Sequence, residues 1–358
     1  MISGSVGAGH DGAADELITR LRALGVETDR RDFLDAVPGF CRYVLRDGYE
    51  FSVGYVPIFF DWLFAHLERP GFVQKVTLGL CRYARRTVRS WVGEHTVVVS
   101  TYMLASQTLG QLKAAGEIDA TLVTFLTDPA VHRMWVHPAI DHHVTVTEAT
   151  ARMGRLVYQT PMQAVGGLVS ARFTKTDPDA RDRLRAELGL AGDKPVALVV
   201  AGSLGLGEVV QTVREISASG VAQVLALCGR NERLRADLGS QDGVVALGWR
   251  DDVPDLMAAS DVLVHNAGGL SLTEALSAGL PAVTFRPIPG HGVANAEVLA
   301  DAGLAPWPKT EAELIEVIQA QAAVRSDPAH VVRRQDTAAL VLELLAERDD
   351  SRFVERPA

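Results

Sequence analysis

HNAGGLSLTEALSAGLPAVTFRPIPGHGVAN, residues 265–295, is the stretch on which the reading of this chain turns. The run that leads into it, SDVLVH at 260–265, is short, apolar and rich in Val, as a buried parallel strand should be. Asn266, Ala267, Gly268 and Gly269 then open a loop, and a helix follows at once. Ser271 is expected to cap that helix, with Glu274, three residues on, completing a capping box. Backbone N–H groups left free after Gly268 and Gly269 form an anion site, and the two glycines let a diphosphate come close. Gly279 stops the helix, residues 280–285 resume the sheet, and a second loop at 287–291 opens another helix containing Asn295. Both loops then lie at strand C-terminal ends, where open α/β sheets bind ligands. The competing reading is purely structural: every doubly wound domain has glycine-rich turns, and Glu274 would be only the capping partner of Ser271.

The same alternation runs outward in both directions. Residues 195–210 read as strand, glycine loop and helix, and VLALCGRNERL and VVALGWRDDVPDLM repeat the pattern before the central stretch. At the other end, residues 1–25 give a very short strand, a glycine loop and a helix with Leu17, Leu21 and Leu24 on one face. Further strands are expected at 94–102 and 121–127, the second ending in Asp128. Residues 174–192 are polar and link the two series, and Asp177 and Asp179 there read as helix caps.

With 358 residues, 47% hydrophobic and 22% charged, the chain has room for two α/β domains of ordinary size. A net charge of -9 argues against nucleic acid as a bulk partner, since phosphate contacts demand a positive surface. Cys41, Cys81 and Cys228 are far apart and form no C-x-x-C, so neither a zinc site nor a disulfide framework is expected, and a reducing, cytoplasmic setting is. No basic segment leads into an apolar h-region, and the longest apolar run, residues 55–67, is interrupted by Asp61 and too short to span a bilayer. Any membrane association is expected to be peripheral.

Two further regions carry chemistry. The loop with Gly4, Gly7, Gly9 and His10 lacks the lysine of a Walker loop and the glycine order of a dinucleotide fingerprint, although Asp32 stands where a ribose-binding acid would be in an NAD enzyme. Between Glu68 and Glu94 there is no acid, but there are Arg69, Lys75, Arg82, Arg85, Arg86 and Arg89. The last four fall at helical spacing, with Val73, Val76, Leu80, Tyr83 and Val88 offering apolar surface: a basic amphipathic helix for anionic lipid, or a solvated helix face. Asp128, His132, His137, His142 and His143 could be drawn as metal ligands, but the spacing is not H-E-x-x-H, and no metal is expected.

The pattern A-G-x-x-S-x-x-E-A-x-x-x-G-x-P over 267–281, followed by P-G-H-x-x-x-N over 289–295, resembles the donor half of GT-B glycosyltransferases. The resemblance is to the monogalactosyldiacylglycerol synthase and processive diacylglycerol glucosyltransferase family, with the peptidoglycan lipid-carrier N-acetylglucosaminyltransferase as a cousin. Thr127, Asp128, His132, Trp135, Val136, Pro138 and Asp141 resemble the same family's T-D-x-x-x-H-x-x-W-V-x-P-x-x-D, with Val144 and Glu148 beyond. The resemblance implies that Glu274 holds ribose hydroxyls, that Gly202, Ser203, Gly268, Gly269 and the helix beginning near Ser271 face the diphosphate, and that His291 and Asn295 read the sugar. It places the base against backbone of the Trp249–Arg250 loop. It makes His10 the base for the acceptor hydroxyl, which an imidazole with a pKa near about 6.5 suits, with Asp128 in support. It assigns Arg82, Arg85, Arg86, Arg89, His132 and Trp135 to the acceptor and the membrane. Two departures stand out: P-G-H-G replaces the usual P-G-Q-E, which leaves the sugar open, and the usual P-I/V-R element is absent at 168–173, so Arg172 takes no role.

The expected fold is therefore α/β, GT-B, two Rossmann-like domains with parallel sheets facing across a cleft. Residues 1–167 form an acceptor domain with a membrane-associated insertion at 33–95, residues 168–328 a donor domain, and residues 329–358 a helix crossing back to the first domain. The expected activity is inverting transfer of a hexose or N-acetylhexosamine from a UDP-sugar, with no other cofactor, to a lipid hydroxyl such as that of diacylglycerol. It is placed at the inner face of the plasma membrane. The alternatives are a polyprenyl-linked or small natural-product acceptor, a UDP-sugar epimerase of the same fold, an NAD oxidoreductase, and a binding protein without catalysis.

Overall fold

A computed structural model describes residues 1–55, 57–174, 178–190, 192, 194–200, 207–324 and 336–354. The chain divides into two compact units: Met1–Tyr49, Trp62–Leu168 and Arg333–Ala358 form the first, Glu50–Asp61 and Val169–Val332 the second.

The first unit is built on β1 (Ile2–Ser3), β2 (Arg31–Asp32), β3 (Val97–Ser100), β4 (Thr121–Leu126), β5 (His142–Thr145) and β6 (Met162–Ala164), all parallel, in the order β2-β1-β3-β4-β5-β6. Its central strands are almost wholly apolar because helices cover both faces of the sheet. On one face α1 (Ala8–Ala23) sets Ala13, Leu17 and Leu21 against Ala338, Val341 and Leu344 of the C-terminal helix Thr337–Val354 and against Val99, Val123 and Phe125 of the sheet. Leu24 does not join them; it lies just past the last turn, before Gly25 at φ 82°, and is exposed.

After α2 (Gly39–Tyr55) and α3 (Pro57–Glu68), the other face is closed by α4 (Phe72–Val92) and α5 (Met103–Ala114). Cys81, Ala84, Val88 and Val92 form the buried stripe of α4, with small residues where α5 comes close. Of the residues expected to offer an apolar surface, Val88 is instead inside this stripe, whereas Val76 and Tyr83 are exposed. Asp32 is also accounted for, because its Oδ1 accepts from Leu34 N at 2.9 Å and from Ser5 N at 3.3 Å. It is a cap rather than a ribose ligand.

In the second unit β7 (Val196–Val200), β8 (Gln223–Leu227), β9 (Val244–Leu247), β10 (Val262–His265) and β11 (Ala282–Thr284) are parallel in the order β11-β10-β7-β8-β9. Asp261, at the start of β10, accepts from Arg185 at 2.6 Å and from Val196 N at 2.7 Å, tying α7 (Pro178–Glu187) to the two central strands. These bonds hold its carboxyl below the usual range against the cost of burial.

Strand order reverses once in each sheet, between β1 and β3 in the first and between β7 and β10 in the second. At such a switch point the loops leave in opposite directions and open a crevice at the strand C-terminal ends.

Candidate functional site

In the second unit the loop after β10 lies at the switch point. α11 runs from Gly269 to Ser277 with Gly268 as N-cap, and no side chain caps it. The helix thus starts earlier than expected, and the capping box fails. Ser271 lies in the first turn and Glu274 in the second, too deep to reach the cap. The structural reading of Glu274 fails with the capping box: the carboxylate is largely buried, and burial pushes its pKa up to about 8. An acid held there invites hydroxyl donors. Gly268 and Gly269 present the uncapped first turn of α11, a ready anion site.

Ala267 shapes this loop with φ at 73°, a left-handed conformation costly to a residue with a Cβ. Its carbonyl accepts from Asn295 Nδ2 at 3.1 Å, and its N–H donates to His265 Nδ1 at 3.1 Å. Asn295 is fully buried on α12 (His291–Asp301), and its bond to the Ala267 carbonyl latches the helix to the loop. His291 opens α12 after Gly290, whose φ is 67°. Gly202 and Ser203 lie outside the described residues. Trp249 is half exposed, with the Arg230 guanidinium 4.7 Å above its ring. Arg250 is committed to Asp252, with Nε 2.7 Å from Oδ1, which leaves backbone as what this loop offers.

In the first unit His10 stands in the first turn of α1, just past β1. Across the switch point, its Nδ1 lies 2.8 Å from the carbonyl oxygen of Thr101, just past β3, while Thr101 Oγ1 donates to His10 O at 3.0 Å. A carbonyl only accepts, so Nδ1 carries the proton and Nε2 holds the free lone pair in the neutral ring. Thr127 Oγ1 lies 3.1 Å from the same Nδ1. The ring is flanked by Tyr102, with centroids 5.3 Å apart, and by Trp135 at 5.9 Å. Gly4 is needed beneath Tyr102, since a Cβ there would lie 2.5 Å from that ring. Asp11 steadies the turn by accepting from Ser3 Oγ at 2.7 Å and from Arg30 at 2.8 Å.

Asp128 does not bond His10. Its Oδ2 accepts from Trp135 Nε1 at 3.3 Å, so its support reaches the base through an aromatic ring. His132 is buried, its Nδ1 accepting from Met134 N at 3.1 Å and its Nε2 3.2 Å from Phe64 O and from Glu68 Oε2. Desolvation holds its pKa down, with Glu68 opposing. His143 is likewise buried and pushed down to about 4, and the five residues weighed as metal ligands do not converge: among the described residues no three such side chains gather. The basic cluster divides. Arg85 is spent on Glu117 and Arg89 lies 3.8 Å from the same acid, whereas Arg82 and Arg86 are exposed. Thr101, Tyr102 and Glu68 carry no motif of their own; only the sheet order, which brings β1 beside β3, could have pointed to the first two.

Residues 10–157 match the family model described as monogalactosyldiacylglycerol (MGDG) synthase, and residues 186–321 the model described as glycosyl transferases group 1. A processive diacylglycerol beta-glucosyltransferase of Bacillus pumilus is 27% identical over 50% of this chain and 49% of its own. One of Bacillus cereus strain G9842 is 25% identical over 71% of this chain and 70% of its own. The chain thus spans about half the length of the first of these curated relatives. Among solved structures, MurG of Acinetobacter baumannii aligns with a TM-score of 0.59 at 17% identity over 97% of this chain and 98% of its own. Anabaena HepE in complex with UDP-glucose aligns with a TM-score of 0.52 at 19% identity over 75% and 82%. Two parallel-sheet Rossmann-like halves give the chain the GT-B fold, and its sequence is similar to the MGDG synthase model in one half and to glycosyl transferases group 1 in the other.

Proposed function

We propose that the chain is an inverting glycosyltransferase that moves a hexose or N-acetylhexosamine from a UDP-sugar to the hydroxyl of a lipid such as diacylglycerol. One observation carries this reading. Each parallel sheet carries a titratable side chain of the motif at its own switch point, His10 in the first unit and Glu274 in the second. The relatives act on diacylglycerol by name, and a fold neighbour holds UDP-glucose.

In this mechanism Glu274 accepts hydrogen bonds from the ribose hydroxyls, and the uncapped first turn of α11 meets the diphosphate and stabilises its charge as it departs. His10 Nε2 takes the proton of the acceptor hydroxyl while its oxygen attacks the anomeric carbon from the face opposite the nucleotide, which inverts the centre. UDP leaves with the electron pair of the broken bond.

In this reading the protein works at the inner face of the plasma membrane. Phe40, Tyr43, Phe72, Val76 and Tyr83 expose large apolar side chains on α2 and α4, and Arg82 and Arg86 add charge for anionic headgroups. No described helix is long and apolar enough to cross a bilayer.

The test is an assay of diacylglycerol vesicles with UDP-glucose, UDP-galactose or UDP-N-acetylglucosamine, with the anomer of the glycolipid read by NMR. A β-linked product from an α-linked donor is expected. Interconversion of the UDP-sugar without any acceptor would instead establish an epimerase.

A further inference from the structure

At the C-terminal end of α3, one carboxylate gathers more partners than a surface acid needs. Glu68 Oε2 accepts from Arg133 N at 2.9 Å and lies 3.2 Å from His132 Nε2, and Oε1 lies 2.7 Å from the Tyr158 hydroxyl. Its backbone carbonyl takes Arg133 Nε at 3.0 Å. One turn earlier, Phe64 meets His132 both through its carbonyl, at 3.2 Å, and by ring contact, with centroids 4.3 Å apart. His132 has spent Nδ1 on Met134 N, so it is Nε2–H that points at α3.

These bonds close on the turn Arg133–Trp135, which delivers the Trp135 ring to His10. The turn is short: the Trp135 indole has its polar partner in Asp128 at 3.3 Å, at the other end of the same loop, and Gln107 Nε2 on α5 donates to the carbonyls of Met134 at 3.0 Å and Val136 at 2.8 Å. Gln107 holds the end of the turn from the α5 side, and Glu68 holds its start from α3 while reaching α6 (Glu148–Val157) through Tyr158, the residue after its last turn.

We infer that Glu68 is a positioning residue of the acceptor side: from the end of α3 it holds the 132–135 turn, and through Trp135 it fixes the ring of His10. The inference rests on the glycosyl-transfer reading for its kinetic consequence, though not for its structural one. Glu68 touches no reacting atom. Its part is to keep Nε2 of His10 aimed, and misplacement by about 1 Å costs on the order of a hundred-fold in rate.

The variants are Glu68→Ala, Glu68→Gln and Tyr158→Phe. A glutamine oxygen can accept from Arg133 N and His132 Nε2 while its amide donates to the Tyr158 oxygen, which is free to donate to Val131 O, 2.9 Å away. Positioning therefore predicts that Glu68→Ala lowers kcat by about ten- to a hundred-fold with UDP affinity unchanged, that Glu68→Gln restores most of it, and that Tyr158→Phe falls between. Loss of activity in Glu68→Gln equal to that in Glu68→Ala would overturn the inference in favour of a charge role, and full activity in Glu68→Ala would overturn it outright. Histidine NMR gives a second readout that needs no turnover: the His10 ring resonances should shift in Glu68→Ala and return in Glu68→Gln. If the wild-type protein forms no glycolipid while those shifts behave so, the enzyme reading falls and the positioning role stands. If they stay fixed in Glu68→Ala, the positioning role falls whatever the activity.

Discussion

The Nδ1 atom of His10 lies 2.8 Å from the carbonyl oxygen of Thr101, joining the loops after β1 and β3. That bond chooses the tautomer, and Thr127 Oγ1, 3.1 Å away, shares the same proton. Replacing Thr127 by Val removes the shared acceptor and keeps the shape. A lost hydrogen bond of about 1 kcal/mol predicts a roughly five-fold fall in kcat with unchanged UDP affinity. Steady-state kinetics beside UDP calorimetry checks this, and Thr127→Ser should behave as wild type.

Glu274 should trade stability for binding. Burial raises its folded pKa to about 8 from the ordinary carboxyl value of 4.5. Across that window the folded chain holds a proton that the unfolded chain has lost, so stability falls as pH rises from 4.5 through 8. Glu274→Gln escapes this loss. Thermal melts should show the variant level with wild type near the low end and increasingly more stable toward the high end, while its UDP affinity is reduced. Equal melting curves at every pH together with unchanged UDP binding would make Glu274 a bystander.

Much of this was legible in the sequence, for physical reasons. Strands buried on both faces read as apolar runs, unbroken in Val196–Val200 and interrupted by Thr124 in Thr121–Leu126, and that pattern betrays parallel sheets under helices. The start of α11 was not legible, because Gly268 caps it without any side chain while Ser271 and Glu274 mimic a capping box. The pairing of Arg85 with Glu117 was hidden by the 32 residues that separate them. Glu68 was passed over because an acid at the end of an aromatic helix looks like solvent-facing charge. Its partners, 64, 65 and 90 residues away, meet it only once the sheet is assembled.

Asn295 should matter to the nucleotide without touching it. Its amide holds the carbonyl of the left-handed Ala267, so Asn295→Ala leaves a buried acceptor unsatisfied, at a cost of about 1–3 kcal/mol. Denaturant melts should show that loss, and UDP affinity should fall with it because the glycine turn is no longer held. Stability lost with UDP binding intact would separate the latch from the ligand.

The arginines of α4 should divide in a vesicle assay. Arg82 and Arg86 are exposed, whereas Arg85 is engaged with Glu117. At about 1 kcal/mol per charge, each of Arg82→Glu and Arg86→Glu should weaken cosedimentation with anionic vesicles by more than five-fold. Arg85→Glu should act mainly on thermal stability, through repulsion from Glu117. An equal loss of vesicle binding at all three positions would mean that Arg85 leaves Glu117 for the membrane.

His10→Ala, measured as turnover on diacylglycerol vesicles beside UDP binding, tests the assignment of the base most directly. Loss of a general base predicts a kcat lower by about a hundred- to ten-thousand-fold with UDP affinity nearly intact. Turnover within a few-fold of wild type, or loss of UDP binding along with activity, would contradict the assignment of His10 as the base.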